Sequence, residues 1–142
     1  MRIYLDIDGT LIHEDVRNYG KPAMGLEELL TVLKYHDTYW LTAHCRDGDP
    51  TTAQAMLKSV TSPEYHETIN NIKPTVWDVQ KVEGIDWLQE FIWLDNNINQ
   101  FEQVHFHKTM MGQNVIEMNL VQNPEQLREI AEDLSKLSNT QG

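Results

Sequence analysis

A single cysteine, Cys45, excludes any intramolecular disulfide and fits a reducing compartment. Basic residues are few and scattered: 11 Lys and Arg stand against 22 Asp and Glu, for a formal net charge of −11. That balance disfavours nucleic acid as a partner, because affinity for phosphate backbones comes mainly from Lys and Arg. It also disfavours an anionic membrane surface. No apolar run approaches the roughly 20 residues needed to cross a bilayer, and the N-terminus shows no charged-then-apolar leader. The expectation is a cytoplasmic protein with no membrane partner. Repeats, low-complexity segments and linkers are missing too, which leaves one globular domain, residues 1–138, with a frayed tail at 139–142.

What is present alternates between two periodicities. Short β-branched and aromatic runs predict strands at 2–7, 38–43, 90–95 and 114–121, with a short further strand at 67–72 ("ETINNI"). Apolar residues at helical spacing predict helices at 25–36, 51–60 and 76–88, Gly84 weakening the last of these. Asn123 is read as the cap of a final helix, with Pro124 at its first position and Leu127, Ile130, Leu134 and Leu137 along its stripe. Strand–helix alternation argues for a three-layer α/β/α domain, Rossmann-like, with a mostly parallel five-stranded sheet covered on both faces. Such sheets bind ligands beyond the carboxyl ends of their strands.

The first strand runs directly into two acids, in "MRIYLDIDGT". Burying one unpaired charge is costly, and a second like charge beside it costs more. Two other predicted strands end at polar residues, "YWLTAH" at Thr42 and "FIWLDNN" at Asp95. These three stretches, in this order, resemble motifs of the haloacid dehalogenase superfamily, over about residues 1 to 121 and without a cap domain. The resemblance implies a Mg²⁺-dependent phosphatase acting through an aspartyl-phosphate. Asp6 would be the nucleophile, Asp8 the general acid and base, and Thr42 a hydrogen-bond donor to the phosphoryl group. Asp95 would hold the metal with Asp6 and the backbone carbonyl of Asp8, and Asn96 would orient a metal-bound water. Gly9 would let the chain turn sharply and bring backbone N–H groups near the phosphoryl group, and Thr10, Ala43 and His44 are read as further substrate-binding residues. The ion would then offset the repulsion that the opening strand creates.

A lysine is also implied, to neutralise phosphate and nucleophile. Lys81, in "WDVQKVEGIDW", is the preferred candidate and Lys73, in "IKPT", the other. Asn96 and Asn97 depart from the commoner pattern, in which an acidic residue follows the metal aspartate. That departure leaves room for a catalytically weak or inactive binding module as the rival function, and transfer to an acceptor other than water as a third. The stretch 11–20 is read as a small flap and 45–75 as too short for a folded cap, so the site would be open. Its substrate would be a phosphorylated protein, small molecule or nucleotide. Arg46 is placed at the mouth of the site, where it would clamp a second anion or lie on the surface. His13 falls in the flap, and His105 with His107 reads as a surface pair, no third ligand being near. Cys45 lacks the phosphate-cradling loop of a thiol nucleophile. Trp40, Trp77, Trp87 and Trp93 are assigned to packing.

Overall fold

The computed structural model describes residues 1–98 and 113–141. The chain is an α/β fold whose sheet, among the described residues, has four strands: β1 (Arg2–Leu5), β2 (Asp37–Trp40), β3 (Phe91–Asp95) and β4 (Gln113–Glu117). Their order is β2-β1-β3-β4 and every pairing is parallel, an arrangement compatible with a Rossmann-like fold. Among the described residues four helices accompany them: α1 (Leu26–Leu33), α2 (Thr51–Lys58), α3 (His66–Asn70) and α4 (Gln126–Gln141). No helix of the described residues is long and apolar enough to cross a membrane.

One face of the sheet is packed by all four helices. Ile3, Leu5, Ile92 and Leu94 point there, and meet Leu26, Leu29, Leu30 and Leu33 of α1, Leu57 of α2, Ile69 of α3 and Leu127 and Leu134 of α4. Helix α1 has only eight residues, too few to be stable alone. Burial of its four leucines holds it in place, at about 2 kcal/mol for each. Gly25 opens this helix at φ +92°, and a Cβ there would lie 2.5 Å from the Cα of Arg128 in α4. The absence of a side chain lets the two helices approach.

The opposite face corrects the helix expected over 76–88. Residues 76–88 do not form a helix; they run as an irregular strap with a single 3₁₀ turn at Lys81–Gly84. Two of the apolar residues that suggested a helix, Val76 and Val79, are exposed, at 67% and 71%. Val82 and Ile85 instead cover Tyr4, Phe91 and Trp93, and Trp87 stands edge-on to Phe91 at 5.3 Å. The strap is tied to the sheet by polar contacts. Thr75 Oγ1, just before it, donates to the Trp40 carbonyl and the Asp86 N–H donates to Tyr4 Oη, while within the strap Trp87 Nε1 donates to the Val82 carbonyl. Gly84 fits closely, since a Cβ there would sit 3.0 Å from Leu41 Cδ1.

The stretch expected as a short third strand, 67–72, is helical instead, lying in α3 and the turn that ends it. Ile69 and Ile72 explain why. Three residues apart, they share a helix face but would point to opposite faces of a strand, and both are buried on the same side of the sheet. The chain touches the sheet edge only afterwards, through a single bridge between Lys73 and Tyr39. Helix α4 begins at Gln126, later than the Asn123–Pro124 reading, after a turn in which the Gln126 N–H donates to the Asn123 carbonyl. It runs to Gln141. Trp40 and Trp93 are fully buried, and Trp77 and Trp87 pack partly buried against the strap side, as their apolar settings suggested.

Candidate active site

Parallel register brings the acids together. Leu5 of β1 lies opposite both Trp40 and Leu94, so the next residue, Asp6, falls between Leu41 and Asp95. The ladder continues one step past β1: the Asp6 N–H donates to the Leu94 carbonyl at 3.0 Å and the Leu41 N–H to the Leu5 carbonyl at 2.7 Å. Asp6 and Asp95 thus emerge from neighbouring strands at the carboxyl edge, and both are buried, at 6% and 0% exposure.

Two buried carboxylates side by side need a cation, and Lys81 supplies it. Its Nζ is 2.6 Å from Asp95 Oδ2 and 3.3 Å from Asp6 Oδ1. The strap aims this side chain: Gln80 and Glu83 cap the 3₁₀ turn reciprocally, and Val82 anchors it in the core. Burial pushes the Asp6 carboxyl up to about 7, Asp95 pushes the same way, and Lys81 only partly opposes them. For Lys81, burial works against the charge but Asp6 and Asp95 outweigh it and raise its pKa. Lys73, the other candidate, belongs elsewhere. Its Nζ pairs with Asp37, the first residue of β2 and therefore at the amino end of the sheet. Lys73→Ala should leave any turnover at the carboxyl edge within about twofold of wild type, as for a solvent-exposed ion pair; steady-state rates check this.

Beyond β1 the chain turns tightly. The Gly9 N–H donates to the Ile12 carbonyl, and the N–H groups of Thr10, Leu11 and Ile12 converge on the Ile7 carbonyl. Gly9 adopts φ +74°, and a Cβ there would collide with the side-chain amide of Asn96, so both conformation and space demand glycine. The Thr10 hydroxyl is buried with no hydrogen-bond partner among the described residues. Asp8 faces outward, its side chain 46% exposed, and its Oδ2 lies 2.7 Å from His44 Nε2. Thr42 is buried at the end of the β2 segment, where its Oγ1 accepts the His44 N–H. Asp95 Oδ1 accepts the Asn97 N–H at 2.9 Å, while Asn96 donates its amide to Glu14 in the flap. The flap itself is closed by a bridge between Ile12 and Pro22 and by the His13 N–H donating to the Lys21 carbonyl.

The structure therefore joins Asp6, Asp95 and Lys81 directly, and pairs Asp8 with His44. Arg46 is already engaged, stacked over Trp77 at 4.7 Å and 3.9 Å from Asp78. Together with Ala43, His44, Asp47, Asp49 and Thr52 it lines a polar cleft beside the site. Cys45 is fully buried and burial pushes its thiol up, which opposes nucleophilic use. His13 Nδ1 lies 3.4 Å from Asp15 Oδ1 in the flap. His105 and His107 lie outside the described residues. Two contacts had no local signal: Glu14 with Asn96, 82 residues apart, and His44 with Asp8, 36 apart. Among the described residues there is no group of three or more His, Cys, Asp and Glu side chains placed to hold a metal ion. In comparisons with known proteins the chain matches no family model, no curated protein and no solved structure.

Proposed function

We propose that this chain is a Mg²⁺-dependent phosphatase of the haloacid dehalogenase type, hydrolysing a phosphate monoester through an aspartyl-phosphate on Asp6. The observation that carries the reading is the sharing of one cation, Lys81, by two buried carboxylates at adjacent strand tips. Asp8 lies two residues beyond Asp6, on the solvent side. An Asp6 carboxylate oxygen attacks phosphorus while the ester P–O bond breaks, and the Asp8 carboxyl gives its proton to the leaving oxygen. Water then attacks phosphorus and yields a proton to the Asp8 carboxylate. The bond between Asp6 and phosphorus breaks, inorganic phosphate leaves, and both side chains return to their starting states. Lys81 offsets phosphoryl charge, and Thr42 with the Ala43 N–H holds phosphoryl oxygens, the Gly9 and Thr10 N–H groups expected there being engaged by the Ile12 and Ile7 carbonyls instead.

The donor chemistry fits magnesium. This ion takes hard oxygen ligands, one or two of them carboxylates, with waters and phosphate oxygens completing its shell. Asp6, Asp95, the Asp8 carbonyl and the Asn96 side-chain oxygen are the groups that would hold it. Asp6 and Asp95 are both buried and bring two carboxylates against the single ammonium of Lys81, which leaves room for a further cation. When bound, Mg²⁺ supplies charge neutralisation for the nucleophile and the phosphoryl group. The half-exposed Asp8 favours a substrate presented from outside, a phosphorylated protein, small molecule or nucleotide.

The test is hydrolysis of p-nitrophenyl phosphate. Turnover should require Mg²⁺ and vanish in Asp6→Asn. Beryllofluoride with Mg²⁺, which mimics a phosphoryl group on an aspartate, should raise the melting temperature of wild type by about 3 °C or more, and not that of the variant. Neither turnover on a phosphorylated-metabolite panel nor a beryllofluoride shift would be the result for a fold that binds without catalysing.

A further inference from the structure

We propose that His44 is a positioning residue that holds the Asp8 carboxyl with one oxygen toward itself and the other toward the leaving group. The inference rests on the phosphatase reading and extends it to a residue whose sequence position suggested only substrate contact.

Asp8 needs a holder. Its side chain is 46% exposed, so left alone it would sample several rotamers, and a misaimed acid transfers protons slowly. Among the described residues its carboxylate has one hydrogen-bond partner, His44 Nε2, at 2.7 Å from Oδ2. The imidazole is well placed to impose a direction because its backbone is fixed on both sides. Thr42 Oγ1 accepts the His44 N–H at 3.3 Å, the Cys45 N–H donates to the Thr42 carbonyl at 3.0 Å, and the Cys45 side chain is fully buried. With Nε2–H donating to Oδ2, Oδ1 is the oxygen left free to carry the transferable proton. The link also ties the turn after β1 to the turn after β2, the two segments that carry Asp6, Asp8 and Thr42.

A residue acting through the general acid has a signature that a substrate contact lacks. Protonation of the leaving oxygen matters greatly for an alkyl phosphate and little for p-nitrophenyl phosphate, whose phenol leaves readily unprotonated. His44→Ala should therefore lower kcat about tenfold or more on an alkyl phosphate such as glycerol phosphate, and less than about threefold on p-nitrophenyl phosphate, with KM for each nearly unchanged. His44→Gln, whose amide N–H reaches about as far as Nε2, should restore most of the alkyl-phosphate rate. In an Asp8→Asn background, His44→Ala should add little. Equal losses on both substrates would overturn the proposal. So would a raised KM with kcat retained, or a glutamine variant as slow as alanine, provided both variants melt near wild type. A wild-type protein that turns over neither substrate removes the phosphatase reading itself and this inference with it, an outcome distinct from an active wild type without the leaving-group pattern.

Discussion

Lys81→Met will show the largest combined loss, in turnover and in stability. The ammonium lies between Asp95 and Asp6 in a site where its own side chain is only 16% exposed. Methionine keeps much of the length and apolar stem but removes the charge, leaving two buried carboxylates facing each other. Breaking a buried ion pair from one side typically costs about 3–5 kcal/mol, and loss of a group that stabilises charge in the transition state typically slows turnover about 100- to 1000-fold. The protein has one escape, which gives the prediction its sign with pH. Asp6 is already raised to about 7 and will rise further without the lysine. An acid whose folded pKa lies above its unfolded value costs stability once it ionises, so the penalty should be small near pH 5 and grow as pH rises through about 7 to pH 8. Urea denaturation of both proteins in EDTA at the two pH values measures it. Equal midpoints at pH 8, or retained turnover, would show that Lys81 is a bystander and remove the central support of the functional reading.

Asp6→Asn should do the opposite to stability while abolishing turnover. The carboxyl is held near 7 against an ordinary value of 3.8, first by burial and then by Asp95. Between those limits the folded state binds more protons than the unfolded one, so wild-type stability falls as pH rises from about 4 through about 7. A tenfold change in proton affinity corresponds to about 1.4 kcal/mol, which caps the effect at about 4 kcal/mol. That figure already contains the contributions of Asp95, which adds to it, and Lys81, which opposes it. Asparagine is nearly isosteric and uncharged, and its oxygen can still face Lys81. In EDTA the variant should melt several degrees above wild type at pH 8 and match it near pH 4. Such a site trades stability for chemistry, as strained functional sites commonly do. Added Mg²⁺ should narrow the gap by stabilising wild type alone. A variant less stable than wild type at pH 8 would mean that the Asp6 carboxylate is a structural anchor rather than a destabilised nucleophile.

Much of the site could be read along the chain because its parts are attached to strand ends. Three hydrophobic runs of similar length, each ending in a polar residue, place Asp6, Thr42 and Asp95 on one edge once the strands are parallel. The observed register, with Leu5 opposite Trp40 and Leu94, makes that edge literal. The choice between Lys81 and Lys73 could not be made that way. Both precede β3 in the chain, and only the path of the strap carries one to the carboxyl edge, while the bridge at Tyr39 holds the other near the amino end. The strap also defeated periodicity. Its apolar residues divide between core and solvent, and its helix-like beginning is stopped by Thr75, Gly84 and the contacts they make with Trp40 and Leu41. For α3 the signal was present in the spacing of Ile69 and Ile72, but the short polar-apolar pattern around them reads equally well at period two.

By itself the sequence determined the four strands seen among the described residues, though not that 67–72 would be helical, and that those four would lie parallel with two aspartates and a threonine at their ends, because burial of their apolar faces leaves few other registers. Only the tertiary structure decided which lysine meets the acids, that His44 grips Asp8, and that Glu14 meets Asn96, since contacts between residues 14 to 82 positions apart follow from the route of connecting segments and not from any local pattern.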